Sequence, residues 1–315
     1  MMYKIFYDLI KRNYSFLITS HIMPDGDSIG SVLALTLALC RLGKSVVPVI
    51  KDDIPKKYAF LPGVNKIKKS VSNQYDVAIC LDCGDEERPG FEEGLRKYYL
   101  KSLVNIDHHK SNTLFGDINI VDSNASSVGE ILYFIIKDML PIDEDIASCL
   151  YTSIITDTGS IRHSNTTPKC LRVLADLVEK GASPNFISQK VFEKRSINAL
   201  KLLRNCLDTL KITDDKIASL YITRDMMEKC GANEEDTDGI INYARGIEGV
   251  EIGVLFREID ERQVKVGFRS NDYVDVCKIA EKFGGGGHIR ASGCTLENDL
   301  EGSIKLILET LRESL

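Results

Sequence analysis

The chain has 315 residues, is 43% hydrophobic and 27% charged, and carries a net charge of −6 at neutral pH. That balance suits a globular protein of one or two domains and argues against a broad basic face for duplex nucleic acid, whose nonspecific affinity comes from Lys and Arg neutralising phosphates. No apolar run approaches the roughly 18 residues of a membrane span, and the charged start MMYKIFYDLIKRNYS lacks a signal-peptide pattern, so a cytoplasmic location is expected.

Apolar runs and amphipathic stretches alternate along the first half. Tyr14–Thr19 reads as a strand, Ile29–Leu42 as a helix, and Ser45–Ile50, Tyr75–Leu81 and Ser102–Ile106 as further strands, which predicts a parallel α/β sheet. Helices follow at Ser127–Leu140 and from Glu144 to about Thr156. Another opens on Thr167, with Pro168 at its first position, and stops at Gly181. Ser183 to about Lys211 reads as two helices with no strand between them. Beyond lie strands at Ile217–Thr223, Val250–Ile259 and Val264–Ser270, a helix at Val274–Phe283, a glycine run, a strand near Ser292–Leu296 and a last amphipathic helix. The expected organisation is a parallel-sheet domain over 1–185, a helical connector over 186–212 and a smaller α/β domain over 213–315.

The chain has only five histidines, and two stand together after an aspartate in "SLVNIDHH". The stretch "SHIMPDGDSIGS" places His21, Asp25 and Asp27 between the carboxyl end of the first strand and the next helix, where open α/β sheets bind ligands. Asp27 or Ser28 could simply cap that helix, but capping needs no histidine. "YDVAICLD" delivers Asp82, and "SLVNIDHH" delivers Asp107, His108 and His109, to the same sheet edge. One acid after a strand is ordinary turn chemistry; three strands ending on acids and histidines are not. Asp157, in "IITDTGS", ends an apolar helix, where a C-terminal turn explains it as well as a ligand role does. The carboxylate and imidazole set suits Mn²⁺ or Mg²⁺ better than Zn²⁺, since no thiolate belongs to it. There are enough ligands for two ions, which about 3.5 to 4 Å apart can activate a water and stabilise the attacking and leaving oxygens of a phosphoryl displacement. Cys80 and Cys83 form a CxxC, but they flank Asp82 at a strand end instead of opening a helix, and no second pair completes a zinc site. The nine scattered cysteines suit buried, reduced thiols.

The motifs "SHIMPDGDSIGS", "LDCGD", "IDHH" and "TDTGSIRHS", followed by "FRSNDYVDVCKIAEKFGGGGHIRASG", resemble in that order the DHH phosphoesterase superfamily with its DHH-associated C-terminal domain. The resemblance spans nearly the whole chain and is strongest to the nanoRNase and pAp phosphatase branch. It implies hydrolysis of short single-stranded RNA to mononucleotides and dephosphorylation of pAp. Linear dinucleotides such as pApA are the alternative substrate, and a non-catalytic nucleotide sensor is the alternative of a different class. It also implies two divalent cations, Mn²⁺ ahead of Mg²⁺, with His21, Asp25 and Asp82 around one and Asp27, Asp82, His108 and Asp157 around the other, so that Asp82 bridges. Asp107 would orient an imidazole, and His109 would touch the scissile phosphate or protonate the leaving oxygen. In the second domain Gly286, Gly287 and His288 resemble the nucleotide-holding loop, and the Arg269–Ser270 pair resembles a phosphate contact. His163 departs from the aromatic residue the family often has there and is given no role; Lys110 reads as a solvated lysine. No duplex-DNA or membrane partner is expected, and a homodimer is left open.

Overall fold

The computed structural model describes residues 2–315, apart from the side chains of Met2 and His288. The chain divides into two units, one ending at Lys194 and the other spanning Arg195–Leu315.

In the first unit, β1 (Ser15–Thr19), β2 (Ser45–Val49), β3 (Tyr75–Leu81), β4 (Tyr99–Asp107) and β5 (Ile118–Val121) form one sheet in the order β2-β1-β3-β4-β5, parallel throughout. The chain leaves β1 toward β2 on one side and returns to β3 on the other. The sheet therefore has a switch point between β1 and β3, with β4 next to it, and the crevice beyond those carboxyl ends is a ligand site in open α/β sheets. Both sheet faces are covered, which is why the strands read as unbroken apolar runs. Phe16, Ile18, Ile79 and Val104 pack with Ile29 and Leu33 of α2 (Gly26–Arg41), Leu132 of α3 (Val128–Met139) and Leu150 of α4 (Glu144–Asp157). Leu17, Ala78, Cys80 and Leu103, pointing the other way, form a smaller cluster with Val49, Tyr75 and Leu95.

Helices α2 and α4 approach closely because small residues line the contact. A Cβ added at Gly30 would lie 2.5 Å from the Cys149 carbonyl oxygen, and one at Gly129 of α3 would collide with Ser153 Oγ. A helix at the amino end, α1 (Met2–Arg12), was not legible as one: no acidic residue marks its first turn, although Phe6 and Ile10 are buried in the main core. The expected last-named helix of this unit is α5 (Pro168–Glu179), capped by Thr167 with Pro168 at its first position.

Residues 186–212 are shared between the units. The five-residue α6 (Pro184–Ser188) runs into a π turn over Gln189–Glu193 and belongs to the first unit. α7 (Ile197–Leu207) packs Leu202 and Cys206 against strand residues Ala218 and Leu220 of the second. A short strand, β6 (Lys211–Thr213), stands where the sequence suggested the end of a helix.

The second unit continues with β7 (Ile217–Ile222), α8 (Arg224–Cys230), α9 (Ile241–Arg245), β8 (Ile252–Asp260), β9 (Gln263–Ser270), α10 (Val276–Glu281), β10 (Gly286–His288), β11 (Ala291–Leu296) and α11 (Leu300–Arg312). Its sheet has the order β10-β11-β9-β8-β7-β6, with only β7 and β8 parallel. Val254, Phe256, Val266, Phe268, Ile279 and Ile307 form its main core. The glycine run is not only a loop: its second half is the edge strand β10, and Gly287 has φ 142, a region that favours glycine. No helix among the described residues is long and apolar enough to cross a membrane.

Candidate metal centre

The first contributors follow β1. Asp25 caps α2, its Oδ1 accepting the Ser28 N–H at 3.0 Å while Ser28 Oγ accepts the Asp25 N–H at 2.9 Å. The alternative that Asp27 or Ser28 caps the helix does not hold, since Ser28 only closes the capping box, and the expected place of Asp27 in the loop is corrected: it lies inside the helix. That placement buries Asp27. Its Oδ1 accepts from Ser31 Oγ, Ser153 Oγ and Gly129 N–H at 3.0, 2.5 and 3.2 Å, and its Oδ2 accepts the Val128 N–H at 2.8 Å. The amino end of α3 and two serines thus clamp this carboxylate.

Asp82 directly follows β3 in a left-handed backbone conformation, φ 59, with its N–H donating to Ile106 of β4 at 3.0 Å. Asp107 closes β4. Its Oδ1 accepts the His108 N–H at 2.8 Å and lies 2.7 Å from His109 Nδ1. Asp157 is the last residue of α4, its Oδ2 accepting from Asn165 Nδ2 at 3.1 Å.

The two neighbouring histidines have different partners. His108 Nδ1 faces the Ala125 carbonyl oxygen at 3.4 Å, so its Nε2 points at carboxylates: 3.7 Å to Asp82 Oδ1, 3.8 Å to Asp27 Oδ2 and 3.9 Å to Asp157 Oδ2. His21 is arranged alike, Nδ1 donating to the Ile22 carbonyl at 2.8 Å and Nε2 lying 3.4 Å from Asp82 Oδ2 and 3.8 Å from Asp25 Oδ1. An Nδ1–H held by a carbonyl leaves Nε2 as the ligand atom. His109 instead turns Nδ1 to Asp107, 3.7 Å from Asp82 Oδ1.

Among the described residues three sets could hold a cation, the ligand atoms of each lying within 4.8 Å of one another: His21, Asp25 and Asp82; Asp27, His108 and Asp157; Asp82, His108 and His109. Asp82 Oδ1 is buried with no hydrogen-bond partner among the described residues, an orphaned acceptor that a cation would satisfy. The electrostatics agree. Burial disfavours charge on His21, but Asp82 and Asp25 outweigh it and raise the imidazole to about 9; His108 is likewise raised to about 9, against burial, by Asp157, Asp27 and Asp82. Burial, and then Asp82, push Asp27 well above the usual carboxylate range, and burial raises Asp157 to about 7 with His108 opposing. Burial opposes ionisation of Asp82, yet His21, His108 and His109 hold it below that range. A cluster that draws protons this strongly suits a divalent cation in their place. Carboxylates mixed with imidazoles are a donor set for a divalent cation.

In the second unit the expected substrate-binding residues lie on β9 and β10, the two strands that flank β11. Ala291 of β11 pairs with Arg269 on one side and with the His288 backbone on the other, and Gly287 and Gly286 pair with Ser292 and Gly293. The His288 side chain lies outside the described residues. Arg269 Nη1 donates to the Phe268 carbonyl at 2.9 Å, and burial, then Arg245, lower its guanidinium pKa. Ser270 is buried, its hydroxyl donating to the Val274 carbonyl at 2.7 Å. The residues that sequence reasoning missed are the supporting ones, Ser31, Asn112, Ser153 and Asn165; no spacing rule marks them.

With this arrangement in view, the family matches are direct. The DHH family N-terminal domain matches residues 15–154, so Asp157 lies just beyond it, and the DHHA1 domain matches residues 214–315. The chain belongs to the DHH family, in its NrnA-like branch. It is 34% identical to a bifunctional oligoribonuclease and PAP phosphatase NrnA of Thermus thermophilus, covering 95% of this chain and 89% of that protein. It is 28% identical to the NrnA of Bacillus subtilis over 92% of both chains. The crystal structure of an exopolyphosphatase-related protein from Bacteroides fragilis superposes with a TM-score of 0.92 at 26% identity, over 98% of this chain and 95% of that one.

Proposed function

We propose that the protein is a metal-dependent phosphoesterase that hydrolyses short single-stranded RNA to mononucleotides and removes a phosphate from pAp. The observation that carries this reading is the convergence of His21, Asp25, Asp27, Asp82, His108 and Asp157 beyond the strands that flank the switch point, in a chain whose relatives are named for those two activities.

His21, Asp25 and Asp82 form one ligand set and Asp27, Asp82, His108 and Asp157 the other, with Asp82 shared and Mn²⁺ favoured. When bound there, two divalent cations supply an activated water and charge compensation at the phosphoryl group. The protein's part is to hold that geometry: the α3 amides with Ser31 and Ser153 fix Asp27, and Asn165 fixes Asp157. His109, oriented by Asp107, contacts the scissile phosphate and gives a proton to the leaving oxygen. In the second unit Arg269, Ser270, Gly286, Gly287 and His288 are the substrate-binding residues, with the Ser270 hydroxyl also donating to the Val274 carbonyl. Catalysis belongs to the first unit and substrate grip to the second, in a cytoplasmic enzyme.

Incubation with a two-nucleotide RNA and with pAp, each with Mn²⁺ and with chelator, tests the proposal. Metal-dependent release of mononucleotides and of phosphate is expected. Failure to turn over either substrate with saturating metal refutes it.

A further inference from the structure

Asn112 lies three residues beyond the DHH tripeptide, in the loop between β4 and β5, and its amide is engaged on several sides. Nδ2 lies 2.6 Å from Asp107 Oδ2, 2.8 Å from Asn105 Oδ1 and 3.0 Å from the Cys83 carbonyl oxygen, and Oδ1 accepts the Leu114 N–H at 2.7 Å. Its own N–H donates to the His109 carbonyl at 3.2 Å, closing the turn after the tripeptide. Asp107 is fully buried and divides its oxygens between two tasks. Oδ1 serves His108 N–H and His109 Nδ1, and Oδ2 takes the Asn112 amide. A carboxylate can aim an imidazole only as well as it is itself held.

From this geometry we infer that Asn112 is a positioning residue of the reaction: it fixes the Asp107 carboxylate and through it the direction of the His109 ring toward the leaving group. The inference rests on the role of His109 proposed above. The surrounding contacts separate it from a general structural role. The Cys83 carbonyl, in the turn after Asp82, also accepts Asn105 Nδ2 at 3.1 Å, so that turn keeps a donor when Asn112 is truncated. Among the residues that face a cation, Asp27 is held by Ser31, Ser153 and the α3 amides and Asp157 by Asn165; His108 meets Asp107 only through its backbone N–H, and its ring is set by the Ala125 carbonyl. Loss of the Asn112 amide should therefore fall on His109 and spare the metal sets.

The test compares Asn112→Ala, Asn112→Ser and His109→Ala on two substrates at saturating Mn²⁺. A two-nucleotide RNA has a sugar alkoxide leaving group that needs a proton, whereas bis-p-nitrophenyl phosphate releases a phenolate that does not. Asn112→Ala is expected to lower kcat on the RNA about 10- to 100-fold, with a much smaller loss on the activated ester and with KM and the Mn²⁺ dissociation constant within about twofold of the parent. Added to His109→Ala, it should cause little further loss, since both changes remove one coupled unit. Asn112→Ser supplies the same substrate ratio if the alanine variant folds poorly. Equal losses on both substrates, a loss that multiplies in the His109→Ala background, or weakened Mn²⁺ binding overturns the inference. His109→Ala measured alone reports separately on the parent reading: equal loss on both substrates would remove His109 as the proton donor.

Discussion

Asp82 turns one oxygen toward His21 and the other toward His108, from a backbone position that few residues other than glycine adopt readily. A carboxylate shared between two ligand sets cannot be lost from only one of them. Asp82→Ala should therefore abolish hydrolysis of dinucleotides and pAp while the protein stays folded by circular dichroism. Normal turnover by that folded variant at saturating Mn²⁺ would sink the shared-ligand assignment. At this scale the sequence was already informative: "SLVNIDHH" brought Asp107, His108 and His109 to one strand end. The family resemblance divided the tasks between His108 and His109, but what sets the direction of each ring was not legible there. That direction follows from the Nδ1 partners, the Ala125 carbonyl for His108 and the Asp107 carboxylate for His109.

Among the elements, the crossing of α2 over α4 brings Asp27 within 4.8 Å of Asp157, and it depends on Gly30. A methyl group there would meet the Cys149 carbonyl oxygen at 2.5 Å, a backbone atom with little freedom to move. Overpacking of this kind costs about 1–3 kcal/mol, more than the ~1 kcal/mol that Gly→Ala returns in helix propensity. Gly30→Ala should lower the denaturation midpoint and raise the Mn²⁺ concentration needed for half-activity. An unchanged midpoint and Mn²⁺ requirement would contradict the tight crossing. At the opposite end of the sheet, Asp76 accepts the N–H groups of Tyr14 and Ser15 at 3.0 and 2.9 Å and pairs with Lys101 at 2.8 Å, tying the start of β1 to β3. The Lys101 contact and these amides hold the Asp76 carboxyl below its ordinary range. A depressed folded-state pKa contributes stability that is fully present above the unfolded value of about 3.9 and is lost progressively as pH falls below it toward the lower folded-state value. The gap in melting temperature between the parent and Asp76→Ala should be widest above about pH 5 and close toward pH 2. A gap independent of pH would show that the ionised carboxylate is not what ties the strands.

The whole molecule has separate apolar cores in its two units, and none of the residues proposed to bind metal belongs to them. Chelation should therefore silence hydrolysis while leaving most of the far-UV circular dichroism in place. Mn²⁺ should restore the rate better than Ca²⁺, whose larger all-oxygen coordination fits mixed carboxylate and imidazole sets poorly. Because a cation would bind the folded site in preference to the unfolded chain, Mn²⁺ at 100 times its dissociation constant should stabilise the protein by about 2.7 kcal/mol for each site filled. Asp82→Ala should blunt that shift in a thermal melt. Full activity after exhaustive removal of metal would end the two-cation reading.

The sequence by itself determined the parallel α/β class and the presence of acids and histidines at strand ends, because strand periodicity and the residues that stop a strand are local properties. It also displayed the family motifs in order. Only the tertiary structure decided the strand order β2-β1-β3-β4-β5, which sets the His21, Asp82 and His108 loops side by side, and the placement of Asp25 as cap with Asp27 inside α2. The edge strands β6 and β10 and the short β5 were missed because a strand of three or four residues has too few positions to display a period. The supporting side chains escaped for a different reason. Gly129 and Ser153 reach Asp27 from 102 and 126 residues away, and no local pattern encodes a hydrogen bond between residues so distant until packing brings them together.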